Sequence, residues 1–163
     1  MEAIRQALVS AIVPALQLLP ARMDCAEARV LMVAIGLQES GLTARAQLLT
    51  GGRRGAARGL WQFEVGGGVH GVLTHSATRA LALQLCQARG VNPVEAVVWS
   101  ALETDDVLAA GLARLLLVSD PAPLPPIGAQ ERAWDYYLRN WRPGKPHVLR
   151  WAMNYQAALA ACV

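Results

Sequence analysis

The chain has few cysteines and no pattern typical of a metal centre. Cys25, Cys86 and Cys162 are the only three cysteines, and they are far apart, odd in number and without metal-ligand spacing. Buried small side chains are therefore the simpler interpretation, and we do not expect a disulfide framework. The histidines show no i, i+4 pair that could bind a metal. We expect neither a metal nor a cofactor.

The sequence also shows neither the pattern of a membrane-crossing helix nor that of a secretory signal peptide. No stretch reaches the ~18 consecutive apolar residues of a membrane-crossing helix. The N-terminal segment is apolar, but Glu2 comes first and Arg5 is the only early cation. Its apolar residues recur at helical spacing, which predicts an amphipathic first helix ending near Pro20. We therefore expect no signal peptide and no stable membrane insertion.

Charged residues are sparse, and their balance is mildly positive. They make up 17% of the chain, and 15 Lys and Arg against 12 Asp and Glu give a formal net charge of +3. The cations are mostly scattered arginines without an interleaved aromatic patch, so we do not expect a nucleic acid as a partner. This balance is compatible with an anionic surface such as a bacterial envelope.

Helix-forming residues dominate the composition. The chain has 163 residues, 54% of them hydrophobic, and is rich in Ala and Leu. That length suffices to bury one sizeable core, and Ala and Leu favour helices. We predict a mainly α fold, organised as a single domain over residues 1–163, with about six to eight helices.

The second predicted helix is the centre of the core. Asp24 and Glu27 resemble an N-terminal capping arrangement, after which a helix should run from about Cys25 to Glu39. Every residue from Val30 to Leu37 is apolar or glycine. This helix therefore has no polar face along that stretch and should be buried on all sides.

Similar start and stop signals divide the second half of the chain. Ser76 as a cap and Gly90 as a stop predict one helix, and Asn92 with Pro93 predicts the start of another. The helix that starts at Asn92 and Pro93 should end near Leu102, and after a break near Thr104 another helix should run to about Val118. A proline-rich loop follows over 120–128. The last two helices are predicted over about Ala129–Trp141 and Pro146–Ala161.

Residues 41–75 differ from the rest because they are rich in glycine and carry four arginines. So much glycine disfavours helix and predicts turns with a small β-hairpin. Long irregular segments in compact domains are usually functional. Gly66 to Gly68 lacks the strand-to-helix setting of a phosphate loop, and we interpret it as a flexible lip over a cleft.

Glu39 is the candidate catalytic residue, because it lies where the apolar helix meets the glycine-rich segment. Desolvation by apolar neighbours and the negative end of the helix dipole both raise the pKa of a carboxyl at such a place. A carboxyl that stays protonated near neutral pH can protonate the leaving oxygen of a glycosidic bond. The alternative is an ordinary solvated residue at a helix end.

Two segments carry a family resemblance. Residues 38–42 read Gln-Glu-Ser-Gly-Leu, and residues 58–63 read Arg-Gly-Leu-Trp-Gln-Phe. Together they resemble the paired motifs of the soluble-type lytic transglycosylases of the lysozyme-like superfamily. There, a Glu followed by Ser ends a helix, and a Gly-Leu-Met-Gln-like segment lines the sugar cleft; Trp61 stands where Met is usual. A looser similarity over residues 107–116 lacks the family's Asn and Tyr, and the whole resemblance spans roughly residues 25–142.

The resemblance implies a lysozyme-like fold and cleavage of the β-1,4 bond between N-acetylmuramic acid and N-acetylglucosamine in peptidoglycan. In that family a single Glu acts first as acid and then as base, and the product carries a 1,6-anhydro end. A muramidase of the same fold, which hydrolyses the bond, is one alternative. A non-catalytic virion or wall-binding protein is another.

The resemblance and the expected lack of a signal peptide favour a phage or prophage product. Such a protein is either an endolysin or a virion component that opens the wall during infection. Its expected partners are glycan strands and, for a virion component, other virion proteins. We expect it in the virion or in the host cytoplasm at synthesis, and acting on the wall in the periplasm.

Several neighbours of Glu39 are candidate substrate-binding residues. Ser40 can bond nearby backbone or direct the Glu39 carboxyl. Gln62 offers both a donor and an acceptor to an N-acetyl or hydroxyl group. An exposed indole of Trp61 can stack on a sugar face, with core packing as the alternative for Trp61 and Phe63.

The remaining candidates lie further along the chain. Glu64 is either a second acid or the ion-pair partner of a loop arginine. The family's late Tyr-Asn-x-Gly motif, whose Tyr reaches the catalytic Glu, is not present as such, and Tyr137 or Tyr136 is the candidate replacement. Trp141 and Arg142 are further candidates for contact with an anionic glycan, while a small hydrophobic core joining the last two helices is the alternative for the aromatic residues.

Overall fold

Helices and one small hairpin make up most of the chain. The computed structural model describes all 163 residues, of which 64% are helical, with one two-stranded sheet. The helices are α1 (Glu2–Ala7), α2 (Val13–Gln17), α3 (Ala26–Ser40), α4 (His70–Thr74), α5 (Arg79–Ala88), α6 (Glu95–Ala101), α7 (Asp106–Ser119), α8 (Gln130–Trp141) and α9 (Val148–Cys162). A π-helical turn joins α1 and α2 into one continuous helix, which leaves eight separate helices. The predicted mainly α fold is confirmed.

Pro14 explains the π-helical turn inside the first helix. Proline has no N–H to donate, and its ring clashes with the carbonyl four residues back in a regular α-helix. The N–H of Val13 donates instead to the carbonyl of Leu8, five residues back, which widens the helix and accommodates the ring. The helix ends at Gln17, slightly before the predicted end at Pro20.

The central helix is α3, as its apolar stretch predicted. Val30 to Gly36 is buried without interruption, and the helix packs extensively against α9. Gly41 ends α3 with a φ of 65°, the left-handed conformation that glycine adopts without strain. This stop places Glu39 in the last turn of the helix.

Two residues predicted to cap helices do not do so. Asp24 accepts two hydrogen bonds from Arg29, at 2.6 and 2.7 Å, and α3 starts at Ala26 without a side-chain cap. Because Arg29 engages both carboxylate oxygens in a bidentate pair, Asp24 is directed away from the helix N–H groups. Ser76 lies outside its predicted helix, because α5 begins only at Arg79.

α7 is the second buried helix. All residues from Leu108 to Leu117 are buried, including Arg114, whose Nε donates to the carbonyl of Met23 at 2.8 Å. Asp105 caps the helix by accepting the N–H of Leu108 at 2.9 Å, which satisfies one of the free donors of the first turn. The core contains 40 buried residues in one cluster, yet no helix is both long and apolar enough to cross a bilayer.

The predicted hairpin is present in the glycine-rich segment. Strands β1 (Ala46–Leu48) and β2 (Arg54–Arg58) pair antiparallel. Trp99 of α6 holds β2 in place, because its Nε1 donates to the carbonyl of Ala56 at 2.8 Å. The guanidinium of Arg58 lies over the same ring, 4.4 Å from its centroid, in a cation–π contact.

The same segment also contains helix, which its composition did not predict. A π-helical turn over Val65–Val69 leads directly into α4, although Gly67 within it departs from helical φ and ψ. At Gly68 a Cβ would lie only 2.4 Å from Cδ1 of Phe63, so the absence of a side chain allows close packing there. The expectation that residues 41–75 lack helix is therefore wrong, since tertiary packing outweighs low helix propensity.

Gly59 offers a test of how closely this segment must approach the core. It has a φ of 74°, and a Cβ would lie 2.8 Å from the carbonyl oxygen of Leu102. Gly51 has a φ of 80° but no atom within 4 Å of a built Cβ. We expect Gly51→Ala to lower the free energy of unfolding by about 1 kcal/mol, the conformational cost alone, and Gly59→Ala to lower it clearly more. Urea denaturation followed by circular dichroism measures both, and equal losses would contradict the importance of the close approach.

Candidate active site

A cleft of about 1390 Å³ lies at the C-terminal end of α3. The glycine-rich segment contributes Gln62, Glu64 and the turn at 66–68, and the end of α8 with the following turn contributes Trp141 to Lys145. Glu39 also lines the cleft. Most lining residues are polar, charged or glycine, so the cleft suits a hydrophilic ligand with many hydroxyl and amide groups.

Glu39 is half-buried and accepts a hydrogen bond from a distant tyrosine. The Oη of Tyr137 donates to Glu39 Oε1 at 2.6 Å. Burial raises the pKa of Glu39, and this effect outweighs the opposing hydrogen bond from Tyr137. The predicted raised pKa by desolvation is confirmed. The carboxyl thus keeps its proton to higher pH than an exposed glutamate does.

Tyr137, and not Tyr136, is the tyrosine that reaches Glu39. The Oη of Tyr136 points the other way and donates to the carbonyl of Leu117 at 2.7 Å. Burial and the neighbouring Glu39 carboxylate raise the pKa of Tyr137. Its hydroxyl therefore stays protonated and acts as a permanent donor to Glu39.

Aromatic side chains surround the Tyr137 ring. Trp151 of α9 stacks on it, with ring centroids 5.3 Å apart and planes 12° apart. Trp134 lies 5.3 Å away on a tilted plane, and Trp141 lies 6.4 Å away. Trp151 itself is fixed, since its Nε1 donates to the carbonyl of Gln130 at 3.1 Å. The alternative of a small hydrophobic core joining the last two helices thus holds for Trp134, Tyr137 and Trp151, and that core orients the Tyr137 hydroxyl.

Ser40 joins the two motifs and does not contact the Glu39 carboxyl. Its Oγ donates to the carbonyl of Leu60 at 2.6 Å and accepts the N–H of Leu42 at 3.1 Å. Of the two expected roles, backbone bonding is the one observed, and Ser40 is not among the cleft-lining residues. It therefore fixes the relative position of helix end and second motif, which corrects its assignment as a substrate contact.

Trp61 is core, so the expectation that its indole stacks on a sugar is wrong. The side chain has no exposed surface, and its Nε1 donates to the carbonyl of Met32 at 2.8 Å. The absence of a side chain at Gly36 mainly makes room for Leu42, since a Cβ there would lie 2.2 Å from Leu42 Cδ2 and 3.3 Å from Trp61 Nε1. Phe63 is buried too, although it also lines the cleft.

Trp141 is the tryptophan that faces the cleft. It is half-buried, and its Nε1 donates to the carbonyl of Trp61 at 3.1 Å. Its ring lies 6.0 Å from that of Phe63. A partly exposed indole held by its N–H offers a rigid apolar face to a sugar ring. Arg142 follows it in the left-handed conformation, with a φ of 49°, and lines the same cleft.

Gln62 lines the cleft with its amide partly committed to the protein. Its backbone has a φ of 52°, and its Nε2 donates to the carbonyl of Gly59 at 2.9 Å. The Oε1 atom accepts no hydrogen bond from the protein side chains or backbone. This orientation leaves an acceptor for an N–H or O–H of a ligand.

Glu64 is exposed in the cleft and forms no ion pair. The interpretation of Glu64 as partner of a loop arginine is wrong: three of the four loop arginines pair with other carboxylates, and the fourth, Arg53, forms no ion pair. Arg54 and Arg58 both pair with Glu103, and Arg45 pairs with Asp106. Glu64 thus lacks the burial that distinguishes Glu39.

Asp120 is a cleft carboxylate that the sequence did not single out. Burial opposes its ionisation, but hydrogen bonds from the Ala122 N–H, Asn140 and Arg139 outweigh that effect and hold the pKa of Asp120 below its usual range. Its oxygens accept these bonds at 2.6 to 2.9 Å. A carboxylate stabilised in this way is a structural anion and a poor proton donor.

No group of three or more His, Cys, Asp or Glu side chains is arranged to hold a metal ion.

No family model, curated protein or solved structure matches the chain. The function therefore has to be inferred from the chemistry of the cleft.

Removal of the Tyr137 hydroxyl should move the titration of Glu39. Because the hydrogen bond from Tyr137 stabilises the ionised carboxylate, Tyr137→Phe should raise the pKa of Glu39 above its value in the unmodified protein. NMR titration of the Glu39 side-chain carbonyl measures this pKa. Tyr136→Phe is the matched control and should leave the pKa unchanged. A lower pKa of Glu39 in Tyr137→Phe would contradict the role of the hydrogen bond.

Proposed function

We propose that the chain is a peptidoglycan-cleaving enzyme that breaks the β-1,4 bond between N-acetylmuramic acid and N-acetylglucosamine, with Glu39 as its acid and base. The observation that carries the proposal is a half-buried carboxyl of raised pKa, hydrogen-bonded to Tyr137, in a large polar cleft. The motif resemblance over residues 38–42 and 58–63 supports the same chemistry. A lysozyme-like arrangement of the fold is part of this proposal.

Glu39 acts first as the general acid. The Tyr137 hydroxyl occupies Glu39 Oε1, so Oε2 is the oxygen available to carry the proton towards the substrate. As the glycosidic bond breaks, this proton passes to the leaving oxygen of N-acetylglucosamine. The hydrogen bond from Tyr137 then stabilises the carboxylate that remains.

A mechanism in which Glu39 is the only reacting carboxyl fits this cleft better than one that uses a pair of carboxyls. The Asp120 oxygens are occupied by three donors, which makes Asp120 a weak base and nucleophile, and Glu64 is exposed with no hydrogen bond that orients it. We propose that the Glu39 carboxylate takes the proton of the muramoyl C6 hydroxyl, whose oxygen bonds to C1 of the same sugar. The glycosidic electron pair leaves with the protonated oxygen, and the product is a 1,6-anhydro end, as a lytic transglycosylase produces.

Three further residues suit the substrate. Gln62 Oε1 can accept from an N-acetyl N–H, the Trp141 ring can lie against a sugar face, and Arg142 can meet a carboxylate of the glycan. The proposed partner is the peptidoglycan glycan strand. A phage or prophage origin, with contact to other virion proteins for an entry component and action in the periplasm, belongs to the same proposal.

Replacement of the carboxyl by an amide tests the acid. We expect Glu39→Gln to lower the rate of peptidoglycan solubilisation by about 100-fold or more, since general acid catalysis typically contributes that much. Glu64→Gln is the matched control in the same cleft and should retain most of the activity. Turbidity loss of purified sacculi measures both rates. Equal rates for the unmodified protein and Glu39→Gln would contradict the assignment, and an inactive unmodified protein would favour the binding alternative.

The released muropeptides distinguish the two reaction types. A transglycosylase leaves 1,6-anhydro-muramoyl ends, whereas a muramidase adds water and leaves reducing ends that are heavier by one water. We expect mass spectrometry to find anhydro ends, because hydrolysis by a carboxyl pair needs a second carboxylate that is free and oriented, whereas three donors occupy Asp120 and nothing orients Glu64. Reducing ends together with an inactive Glu64→Gln variant would show instead that Glu64 participates in hydrolysis.

A further inference from the structure

The first turns of α9 carry an apolar ridge that the proposed function does not use. Val148, Leu149 and Met153 have exposed fractions of 56%, 95% and 70%. Leu149 and Met153 form one i, i+4 pair and Val148 and Ala152 form another, so the four residues make two adjacent rows on the helix surface. Ala152 is exposed as well. We call these four residues the α9 ridge.

The opposite side of α9 is firmly attached to the protein. Trp151, Tyr155 and Ala158 are buried, and the helix packs extensively against α3. The Trp151 and Tyr155 side chains are also fixed by hydrogen bonds to Gln130 and Gly128. α9 therefore lies along the surface of the molecule, with one buried side and one exposed side whose first turns are apolar.

The chain segment that carries the ridge is rich in cations. Residues 136–163 contain Arg139, Arg142, Lys145 and Arg150 but neither Asp nor Glu, so this stretch carries four side-chain positive charges against a net of +3 for the whole chain. Of the four, only Arg139 has a carboxylate partner. Arg142, Lys145 and Arg150 are exposed and form no ion pair, and the exposed carboxylates of α8 do not pair with them.

An exposed apolar ridge beside unpaired cations fits a partner that has an anionic surface above an apolar layer. Anionic phospholipid bilayers have this chemistry, because the headgroups attract Lys and Arg while the acyl boundary accepts Leu, Val and Met. A polyanion such as a sugar polymer would engage the cations but would leave Leu149 in water. Charge complementarity and the position of the ridge together favour lipid.

From this arrangement we infer that the α9 ridge and its cations bind reversibly to the surface of anionic membranes. Leu149 and Met153 enter the headgroup boundary, and Arg150 and Lys145 contact the lipid phosphates. Arg142 and Lys145 also line the cleft, so binding of this kind brings the cleft close to the membrane. The inference stands on the ridge and the cations and does not depend on the glycosidase proposal.

Vesicle co-sedimentation tests the inference with the full chain. We expect the protein to sediment with vesicles of phosphatidylglycerol and phosphatidylethanolamine but not with pure phosphatidylcholine, and binding should weaken at high salt. The double variant Leu149→Ser/Met153→Ser should bind anionic vesicles about tenfold more weakly, because two apolar side chains no longer leave water. Lys145→Gln/Arg150→Gln should weaken binding as well.

Matched variants on another surface serve as controls. Leu48→Ser removes an apolar side chain of 73% exposure on β1, and Arg53→Gln removes an exposed, unpaired cation; both should bind vesicles like the unmodified protein. Circular dichroism verifies that each variant is folded. Absence of sedimentation with anionic vesicles, or unchanged binding of Leu149→Ser/Met153→Ser, would overturn the inference. So would a loss of self-association in that double variant without any vesicle binding, which would assign the ridge to a second copy of the chain.

Discussion

The hydrogen bond between Tyr137 and Glu39 is the contact on which the cleft depends. It joins α8 to the end of α3 across 98 positions of sequence. The donor hydroxyl keeps its place because Trp151 stacks on the Tyr137 ring, and the acceptor keeps its place because α3 is buried along most of its length. The chemistry of one carboxyl thus rests on the packing of three helices. A displacement of α8 or α9 would therefore change the pKa of Glu39, although Glu39 itself belongs to α3.

Features encoded by neighbouring residues could be predicted from the sequence. The apolar stretch Val30 to Leu37 predicts a buried helix, and Gly41 ends it, so the position and desolvation of Glu39 follow from local signals. Tyr136 and Tyr137 could not be distinguished in this way. Adjacent positions on a helix point about 100° apart, and only the docking of α8 decides which hydroxyl meets Glu39.

Features that depend on distant partners were not predictable. Trp61 could be interpreted as a sugar platform because nothing in its own segment reveals that its indole donates to the Met32 carbonyl of α3. The partner of Arg58 is Glu103, on a later part of the chain, and not the nearby Glu64. Helix over 65–74 was missed for the same reason, since its glycines favour turns until Phe63 packs against Gly68. In each case a tertiary contact reverses a local preference.

Two tryptophan side chains connect the central helix to the cleft wall through hydrogen bonds. The Trp61 indole donates to the Met32 carbonyl, and the Trp141 indole donates to the Trp61 carbonyl, 80 positions away. Each bond joins segments that are far apart in sequence, so the cleft wall keeps its shape only while α3, the segment carrying Trp61 and the end of α8 stay packed together. Loss of this packing would expose Glu39 to water and lower its pKa towards that of an exposed glutamate.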